Sequence, residues 1–125
     1  MSKIVITGAC GFIGSALTRK LSLDSRHEIL ALDSLSYASS ESSISSCKKR
    51  PNFKFVKQDI RDLEKLREII LDFKPDGIYH LAAETHVDNS IKNSNNFIST
   101  NVQGTHNLLE IWREFDFQND RKFLH

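Results

Sequence analysis

KIVITGACGFIG, residues 3–14, is the stretch of sequence that decides the fold class. Its first five residues, 3–7, are mostly apolar and β-branched, which is the pattern of a short strand buried on both faces. Three glycines follow, and a helical pattern then begins in which Ile13, Leu17 and Leu21 are predicted to share one face. The stretch therefore predicts a strand that turns through glycines into a helix.

Apolar runs of strand length alternate with helical patterns along the rest of the chain. Four further strands are predicted, at 28–32, 53–56, 77–82 and 122–125. Asp62 is predicted to cap a helix that ends at Pro75. A longer helix is predicted from about 95 to 115, apolar on two sides and so buried by more than one neighbour. The serine-rich segment 34–46 is predicted to be a mobile, solvated loop.

This order of elements predicts the α/β class. Strands that alternate with helices form a Rossmann-type doubly wound parallel sheet with right-handed crossovers. The expected strand order is 3-2-1-4, with strand three in an exposed edge position and strand five beside strand four. The length of 125 residues fits one domain. Residues 1–125 are therefore interpreted as the N-terminal part of such a domain, truncated at the start of the fifth strand.

Composition and charge exclude several classes of partner. The chain has 17 basic and 16 acidic side chains, so charge gives no reason to expect nucleic acid or an anionic membrane as a partner. No stretch approaches the ~18–20 apolar residues of a membrane helix, and no apolar run suits a signal peptide. The cytoplasm is the predicted location. Cys10 and Cys47 have no disulfide or metal-ligand spacing, and no metal site is predicted.

The three glycines and an acidic residue predict a dinucleotide cofactor. Gly8, Gly11 and Gly14 form G-x-x-G-x-x-G, one residue wider than the dinucleotide-binding fingerprint G-x-G-x-x-G. Glycines let a pyrophosphate approach bare backbone, and the following helix offers its N–H groups to the phosphates. Asp33 ends the second strand, where a carboxylate accepts hydrogen bonds from ribose hydroxyls and repels a 2′-phosphate. The pattern favours NAD over NADP; the alternative is a turn with a solvent-exposed Asp and no ligand.

Several segments resemble a known family. Residues 7–14, TGACGFIG, resemble the TGxxGFIG signature of extended short-chain dehydrogenase/reductases. Residues 80–90, HLAAETHVDNS, resemble the more specific HLAAESHVDRS stretch of the dTDP-glucose 4,6-dehydratases within that family. Residues 33–38 are similar to their DKLTYAG, residues 97–105 to FIETNVxGT, and residues 58–60 to GDI. The resemblance runs from end to end of the chain.

The resemblance implies contacts with NAD at the glycine turn and at the ends of the later strands. The implied residues are Gly8, Gly11, Phe12, Ile13, Gly14, Asp33, Ser34, Leu35, Ser36, Asp59, Ile60, Leu81, Ala82, Ala83, Glu84, Thr85 and Thr100. Thr85, where the family has Ser, is also implied in substrate binding, between cofactor and sugar. Asp59 ends the third strand, so its carboxylate is expected to reach the adenine amino group.

The resemblance also implies an activity and a partner. The substrate is a nucleotide sugar, dTDP-glucose, which such enzymes convert to dTDP-4-keto-6-deoxyglucose; the full-length protein is expected to be a homodimer. The family's catalytic Tyr-x-x-x-Lys pair is not matched, since Glu41 stands four residues after Tyr37. The catalytic motifs and the substrate domain are expected beyond His125, so no catalytic residue is assigned and the isolated chain is expected to be inactive. The alternatives are a fragment of another nucleotide-sugar epimerase or decarboxylase, and a catalytically inactive NAD-binding module.

Two further residues have simple structural interpretations. His80 lies inside a buried strand, so a hydrogen-bonded core histidine is predicted in place of a metal ligand or catalytic group. Cys10 stands where the family has a small Ala or Gly. The increase in volume is modest and is not expected to block the pyrophosphate.

Overall fold

The computed structural model describes residues 2–35, 41–81, 103–114 and 122–124. Its strands are β1 (Ser2–Thr7), β2 (His27–Asp33), β3 (Phe53–Lys57), β4 (Gly77–His80) and β5 (Lys122–Leu124). Its α-helices are α1 (Phe12–Ser22), α2 (Leu63–Phe73) and α3 (Thr105–Arg113). Two short 3₁₀ helices, Glu41–Ile44 and Cys47–Lys49, lie between β2 and β3.

The five strands form one parallel sheet in the order β3-β2-β1-β4-β5. The predicted strand order and the edge position of β3 are therefore confirmed, and β5 pairs with β4 as expected. β1 lies in the centre, where Thr7 is level with Leu32 of β2 and with His80 of β4. Because all strands run the same way, their carboxyl ends meet at a single edge of the sheet.

Apolar side chains cover both faces of the sheet, as a doubly wound fold requires. On one face, β1, β2 and β4 pack against α2 and α3. This cluster comprises Val5, Leu30, Leu32, Ile60, Leu66, Ile70, Ile78, Leu108 and Ile111. On the other face, Ile4, Ile6, Ile29 and Ala31 pack with Leu21 of α1. Because alternate side chains of a strand point to opposite faces of the sheet, the strands contribute to two separate clusters.

The buried face of α1 consists of small residues. Gly14, Ser15, Thr18 and Ser22 are buried, and of the predicted row of Ile13, Leu17 and Leu21 it is Leu21 that packs against the core, whereas Ile13 is 68% exposed. The helix approaches the β1 turn so closely that only small side chains fit beneath it. Their hydroxyl groups bond within the helix: Thr18 Oγ1 donates to the Gly14 carbonyl at 2.7 Å. Backbone proximity, and not hydrophobic periodicity, decides which face is buried.

The other helices follow the prediction in part. Asp62 caps α2 by accepting the Lys65 N–H at 3.4 Å, and the helix ends at Phe73, followed by its C-cap Lys74 in the left-handed conformation before Pro75. In α3, Leu108 and Ile111 are buried, but Leu109 is 43% exposed. The prediction that this helix is buried on two sides is therefore wrong at Leu109. The predicted helical residues 95–102 lie outside the described part of the chain.

The segment after β2 is more ordered than predicted. Residues 41–49 form the two 3₁₀ helices, and Ile44 and Cys47 are buried with Cys10 in a small cluster. Arg19 of α1 donates to the Ser43 carbonyl at 2.8 Å. The prediction of a solvated loop is therefore wrong for Ile44, which is buried and together with Cys47 anchors this segment beneath the glycine turn.

Candidate functional site

The turn between β1 and α1 depends on two of its glycines. Gly8 has φ 70°, in the left-handed region that favours glycine. Its carbonyl oxygen accepts the Gly11 N–H at 3.1 Å. A Cβ atom on Gly14 would overlap that same oxygen and lie 2.8 Å from the Gly8 carbonyl carbon. The absence of side chains at Gly8 and Gly14 therefore brings the start of α1 against the end of β1.

The N-terminus of α1 points out of this turn without a side-chain cap. Gly11 occupies the N-cap position and makes no capping hydrogen bond, whereas Asp62 does cap α2. The first N–H groups of a helix have no acceptor within the helix, and the helix dipole gives this end partial positive charge. Phe12 and Ile13, which follow the cap, are 93% and 68% exposed. This end of α1 has the chemistry of an anion-binding site.

Asp33 ties the glycine turn to the end of β2. The residue is buried, with only 7% of its surface exposed. Oδ2 accepts the Cys10 N–H at 2.9 Å, and Oδ1 accepts the Leu35 N–H at 2.7 Å. Asp33, Ser34 and Leu35 thus form one short turn beside the glycines. The structure adds to the predicted contact with ribose a second role for Asp33, which is to fix the position of the turn itself.

Cys10 does not project into the site. Its side chain is buried against Ile44 and Cys47. Burial, reinforced by the nearby Asp33 carboxylate, raises the pKa of the Cys10 thiol from 9.0 to about 12. The thiol is therefore neutral at physiological pH. The side chain of Cys10 packs into the core, while its backbone N–H faces Asp33. Cys10 therefore stands in place of the family's smaller residue without its side chain entering the space in front of the glycine turn.

Asp59 lies just beyond β3 and forms an ion pair that the sequence analysis did not predict. Arg61 Nη2 donates to Asp59 Oδ2 at 2.6 Å, and Arg61 Nε is 3.1 Å and 3.0 Å from the two oxygens. The Arg61 backbone N–H also donates to Oδ1 at 2.9 Å. These hydrogen bonds from Arg61 hold the pKa of the Asp59 carboxyl below its usual range. The only sign of this ion pair in the sequence is an Asp and an Arg two residues apart, shortly after a predicted strand.

Ile60 belongs to the core through its side chain. It is buried in the cluster beneath α2 and α3, and a Cβ on Gly104 would lie 2.6 Å from its Cγ1. Asn107 of α3 donates from Nδ2 to the carbonyls of Ile60 and Arg61, at 3.0 and 3.1 Å. Any contact of Ile60 with a cofactor, as the resemblance implies, would therefore have to be made by its backbone. Asn107, which the sequence analysis missed, fixes this loop.

His80 is the hydrogen-bonded core histidine that was predicted. It is buried, its Nδ1 is 2.8 Å from Thr7 Oγ1, and its Nε2 is 2.8 Å from Thr105 Oγ1. The Leu81 N–H donates to the backbone carbonyl and to the hydroxyl oxygen of Thr7, both at 3.1 Å. These bonds hold Leu81, another predicted contact residue, at the carboxyl ends of β1 and β4.

The remaining predicted site residues lie outside the described part of the chain. They are Ser36, Ala82, Ala83, Glu84, Thr85 and Thr100. Within residues 2–35, 41–81 and 103–114, no group of three or more His, Cys, Asp or Glu side chains is placed to hold a metal ion. No helix in the described residues is long and apolar enough to span a membrane.

The described site residues all follow the carboxyl ends of neighbouring parallel strands. The glycine turn follows β1, Asp33 ends β2, Asp59 lies beyond β3, and Leu81 follows β4. In open α/β sheets this edge is where ligands bind. Sheet order, glycine turn and acidic residue together define the class as a Rossmann-type α/β domain of the dinucleotide-binding kind. The family model for GDP-mannose 4,6 dehydratase matches residues 5–125, and the chain belongs to this family.

Individual relatives point to two kinds of nucleotide-sugar enzyme. The chain is 41% identical over 115 residues to the dTDP-glucose 4,6-dehydratase of Neisseria meningitidis, a match that covers 92% of this chain and 32% of that protein. It is similar in structure to the dTDP-glucose 4,6-dehydratase DesIV of Streptomyces venezuelae, solved with NAD bound (TM-score 0.78, 38% identity, 87% of this chain and 35% of that one). It is also similar to the UDP-Glc/GlcNAc 4-epimerase of Campylobacter jejuni (TM-score 0.84, 33% identity, 98% and 36%). The chain spans about a third of the length of the relatives it matches.

Proposed function

We propose that residues 1–125 are the NAD-binding part of a nucleotide-sugar dehydratase that acts on dTDP-glucose. The observation that carries the proposal is the buried Asp33 carboxylate, which accepts the Cys10 N–H of the glycine turn. It places an acidic acceptor beside an uncapped helix N-terminus, and a dinucleotide needs both. The named dehydratase relatives, and the NAD bound to the solved dehydratase of S. venezuelae, support the choice of enzyme and cofactor.

The residues of this edge fit a dinucleotide from its phosphates outward. A Cβ on Gly14 would overlap the Gly8 carbonyl oxygen, so glycine at this position lets the start of α1 lie against the end of β1. The N–H groups at the start of α1 would donate to the pyrophosphate. Asp33 would accept from the ribose hydroxyls, and Asp59 lies at the far side of β2, toward the adenine. When bound, NAD⁺ supplies the hydride acceptor for oxidation of the sugar.

Asp33 also explains why NAD is proposed in place of NADP. The 2′-phosphate of NADP would face the carboxylate of Asp33, a residue that is only 7% exposed, where water screens charge poorly. Like charges placed together in such a site cost several kcal/mol. The Asp33 side chain therefore selects the cofactor with a free 2′-hydroxyl.

A 4-epimerase is the second candidate, because the C. jejuni epimerase has a TM-score of 0.84 over 98% of this chain. The two activities share the cofactor step and differ in the chemistry that comes after oxidation of the sugar. Incubation of the full-length protein with dTDP-glucose or UDP-glucose distinguishes a 4-keto-6-deoxy product from an epimer. Several expectations stay predictions. They are a cytoplasmic location, a homodimer, the alternative of a catalytically inactive module, and the inactivity of residues 1–125 alone.

The proposal predicts a cofactor preference in the 125-residue polypeptide. Calorimetric titration should give NAD⁺ an affinity at least about tenfold higher than NADP⁺, because the 2′-phosphate would face Asp33. AMP and 2′-phospho-AMP, which carry only the adenosine half, should show the same order. Tighter binding of NADP⁺, or equal binding of both, would overturn the assignment of Asp33 and the NAD proposal with it.

A further inference from the structure

Leu35 has a backbone conformation that residues with a side chain rarely adopt. Its φ is 58°, in the left-handed region, where the Cβ atom of an L-residue comes too close to the following carbonyl oxygen. Among the described residues other than glycine, Lys74 shares this feature, with φ 55°. Lys74 is the C-cap of α2, a position where left-handed residues commonly end a helix. Leu35 instead follows β2, so its conformation must be held by other contacts.

Two contacts hold Leu35 in this conformation. Its N–H donates to Asp33 Oδ1 at 2.7 Å, and its half-buried side chain packs against the cluster of Cys10, Ile44 and Cys47. The dihedral φ describes rotation about the bond between the nitrogen and the Cα atom that carries the side chain. Rotation out of the left-handed region would therefore break either the bond to Asp33 or the packing against the cluster. A strained residue persists where its surroundings enforce the strain in this way.

The orientation of the Asp33 carboxylate depends on these contacts. The sheet fixes the backbone of Asp33, whose carbonyl accepts the Gln58 N–H at 3.0 Å, but pairing of strands does not fix a side-chain rotamer. The Cys10 N–H and the Leu35 N–H oppose rotation of the carboxylate, one at each oxygen. The first donor belongs to the glycine turn, and the second depends on the left-handed conformation of Leu35. Without the second donor, the carboxylate could turn about the bond to Cys10.

We propose that Leu35 is a positioning residue, whose left-handed backbone holds the Asp33 carboxylate in the orientation that receives a ribose hydroxyl of the cofactor. The inference rests on the proposed binding of NAD and adds to it the residue that sets the geometry of the ribose contact. The backbone conformation of Leu35, more than the apolarity of its side chain, then decides the affinity. Substitution can separate the two properties, because β-branched residues are the least tolerant of positive φ, whereas Asn accepts it.

The test compares Leu35→Val with Leu35→Asn in the 125-residue polypeptide. Val is apolar like Leu but resists a positive φ, so Leu35→Val should bind NAD⁺ at least about tenfold more weakly than Leu35→Asn, the effect of one hydrogen bond to a charged group. A role through contact of the side chain with the cofactor predicts the reverse order, because Asn is polar. Lys74→Val, the matched control, places the same strain after α2, at the opposite edge of the sheet, and should leave the affinity unchanged.

A second measurement separates positioning from a general loss of stability. The unmodified chain should bind AMP about tenfold more tightly than 2′-deoxy-AMP, because the 2′-hydroxyl donates to Asp33. Leu35→Val should bring this ratio to within about threefold of one, and Leu35→Asn should keep a higher ratio. A loss of stability lowers both affinities alike and leaves the ratio as it was. If Leu35→Val does not fold, Leu35→Ala and Leu35→Gly take the place of the pair, since Gly accepts a positive φ and should keep the higher ratio.

The outcomes distinguish the inference from the proposed function. NAD⁺ binding by Leu35→Val that equals or exceeds that of Leu35→Asn would overturn the inference, provided that the unmodified chain binds NAD⁺. A ratio of AMP to 2′-deoxy-AMP affinity near one in the unmodified chain, or an unchanged ratio in Leu35→Val, would do the same. Failure of the unmodified chain to bind NAD⁺ would instead overturn the proposed function and, with it, the inference.

Discussion

A Gly14→Ala variant is expected to lose NAD⁺ affinity by about 100-fold and stability by about 1–3 kcal/mol. The new Cβ would overlap the Gly8 carbonyl oxygen, and it would lie 2.8 Å from the Gly8 carbonyl carbon and 3.2 Å from the Ala9 Cα. All three are backbone atoms, so no change of rotamer relieves the contact. The start of α1 must move away from β1, and its N–H groups then leave the pyrophosphate. Urea unfolding and calorimetric titration measure the two losses.

Gly11→Ala is the matched control for that variant. Gly11 has φ −76° and ψ 178°, an extended conformation that any residue adopts. A Cβ there would meet only the Gly8 oxygen, at 3.4 Å, an ordinary contact. Its free energy of unfolding should stay within about 1 kcal/mol of the unmodified chain. Equal stability of the two variants, or normal NAD⁺ binding by Gly14→Ala, is incompatible with the proposed close approach of α1 to the turn.

Asp33→Ala is expected to weaken NAD⁺ binding by about 10- to 100-fold and to narrow the preference over NADP⁺. The substitution removes the acceptor for the ribose hydroxyls, and it also removes the charge that repels a 2′-phosphate. It further leaves the N–H groups of Cys10 and Leu35 without their bonds to this carboxylate. Stability should therefore fall by about 1–3 kcal/mol. Titration with both cofactors and urea unfolding give the two quantities separately.

Two further variants serve as comparisons for Asp33→Ala. Asp33→Asn keeps one acceptor oxygen without the charge, so it should lose less stability than Asp33→Ala while still narrowing the preference. Asp24→Ala removes a carboxylate that pairs with Arg26 in the turn before β2, at the opposite edge of the sheet. That control should bind both cofactors normally. An unchanged ratio of NAD⁺ to NADP⁺ affinity in Asp33→Ala would show that another group selects the cofactor.

The order and direction of the strands could be predicted because each depends on local sequence. Residues 3–7 and the glycines after them define one β-α unit by themselves, and Asp62 and Pro75 bound α2 in the same local way. The parallel order then follows from the connections. Asp33 could be found because its position at the end of β2 is local as well.

The features that the sequence could not reveal depend on contacts between distant segments. The buried face of α1 consists of small polar residues because the helix lies close to the Gly8 carbonyl, which periodicity does not register. Asn107 reaches the Ile60 carbonyl across 47 positions of sequence. The bond from Cys10 to the Asp33 side chain likewise appears only once β1 and β2 are paired. The two hydrogen bonds were missed because a hydrogen-bonding side chain has no periodic pattern in the sequence.

Two-dimensional ¹H–¹⁵N NMR of the 125-residue polypeptide can map the binding of NAD⁺ onto the backbone amides. It tests directly whether the glycine turn and the N-terminus of α1 hold the pyrophosphate. The largest shift changes should fall on the amides of Gly11, Phe12, Ile13 and Gly14, with smaller changes at Cys10 and Leu35 through the Asp33 carboxylate. All should saturate with one dissociation constant, and NADP⁺ should produce them only at higher concentration. Shift changes confined to the opposite edge of the sheet, around Ser25 and Asn52, or no change at millimolar NAD⁺, would contradict binding of the pyrophosphate at this turn.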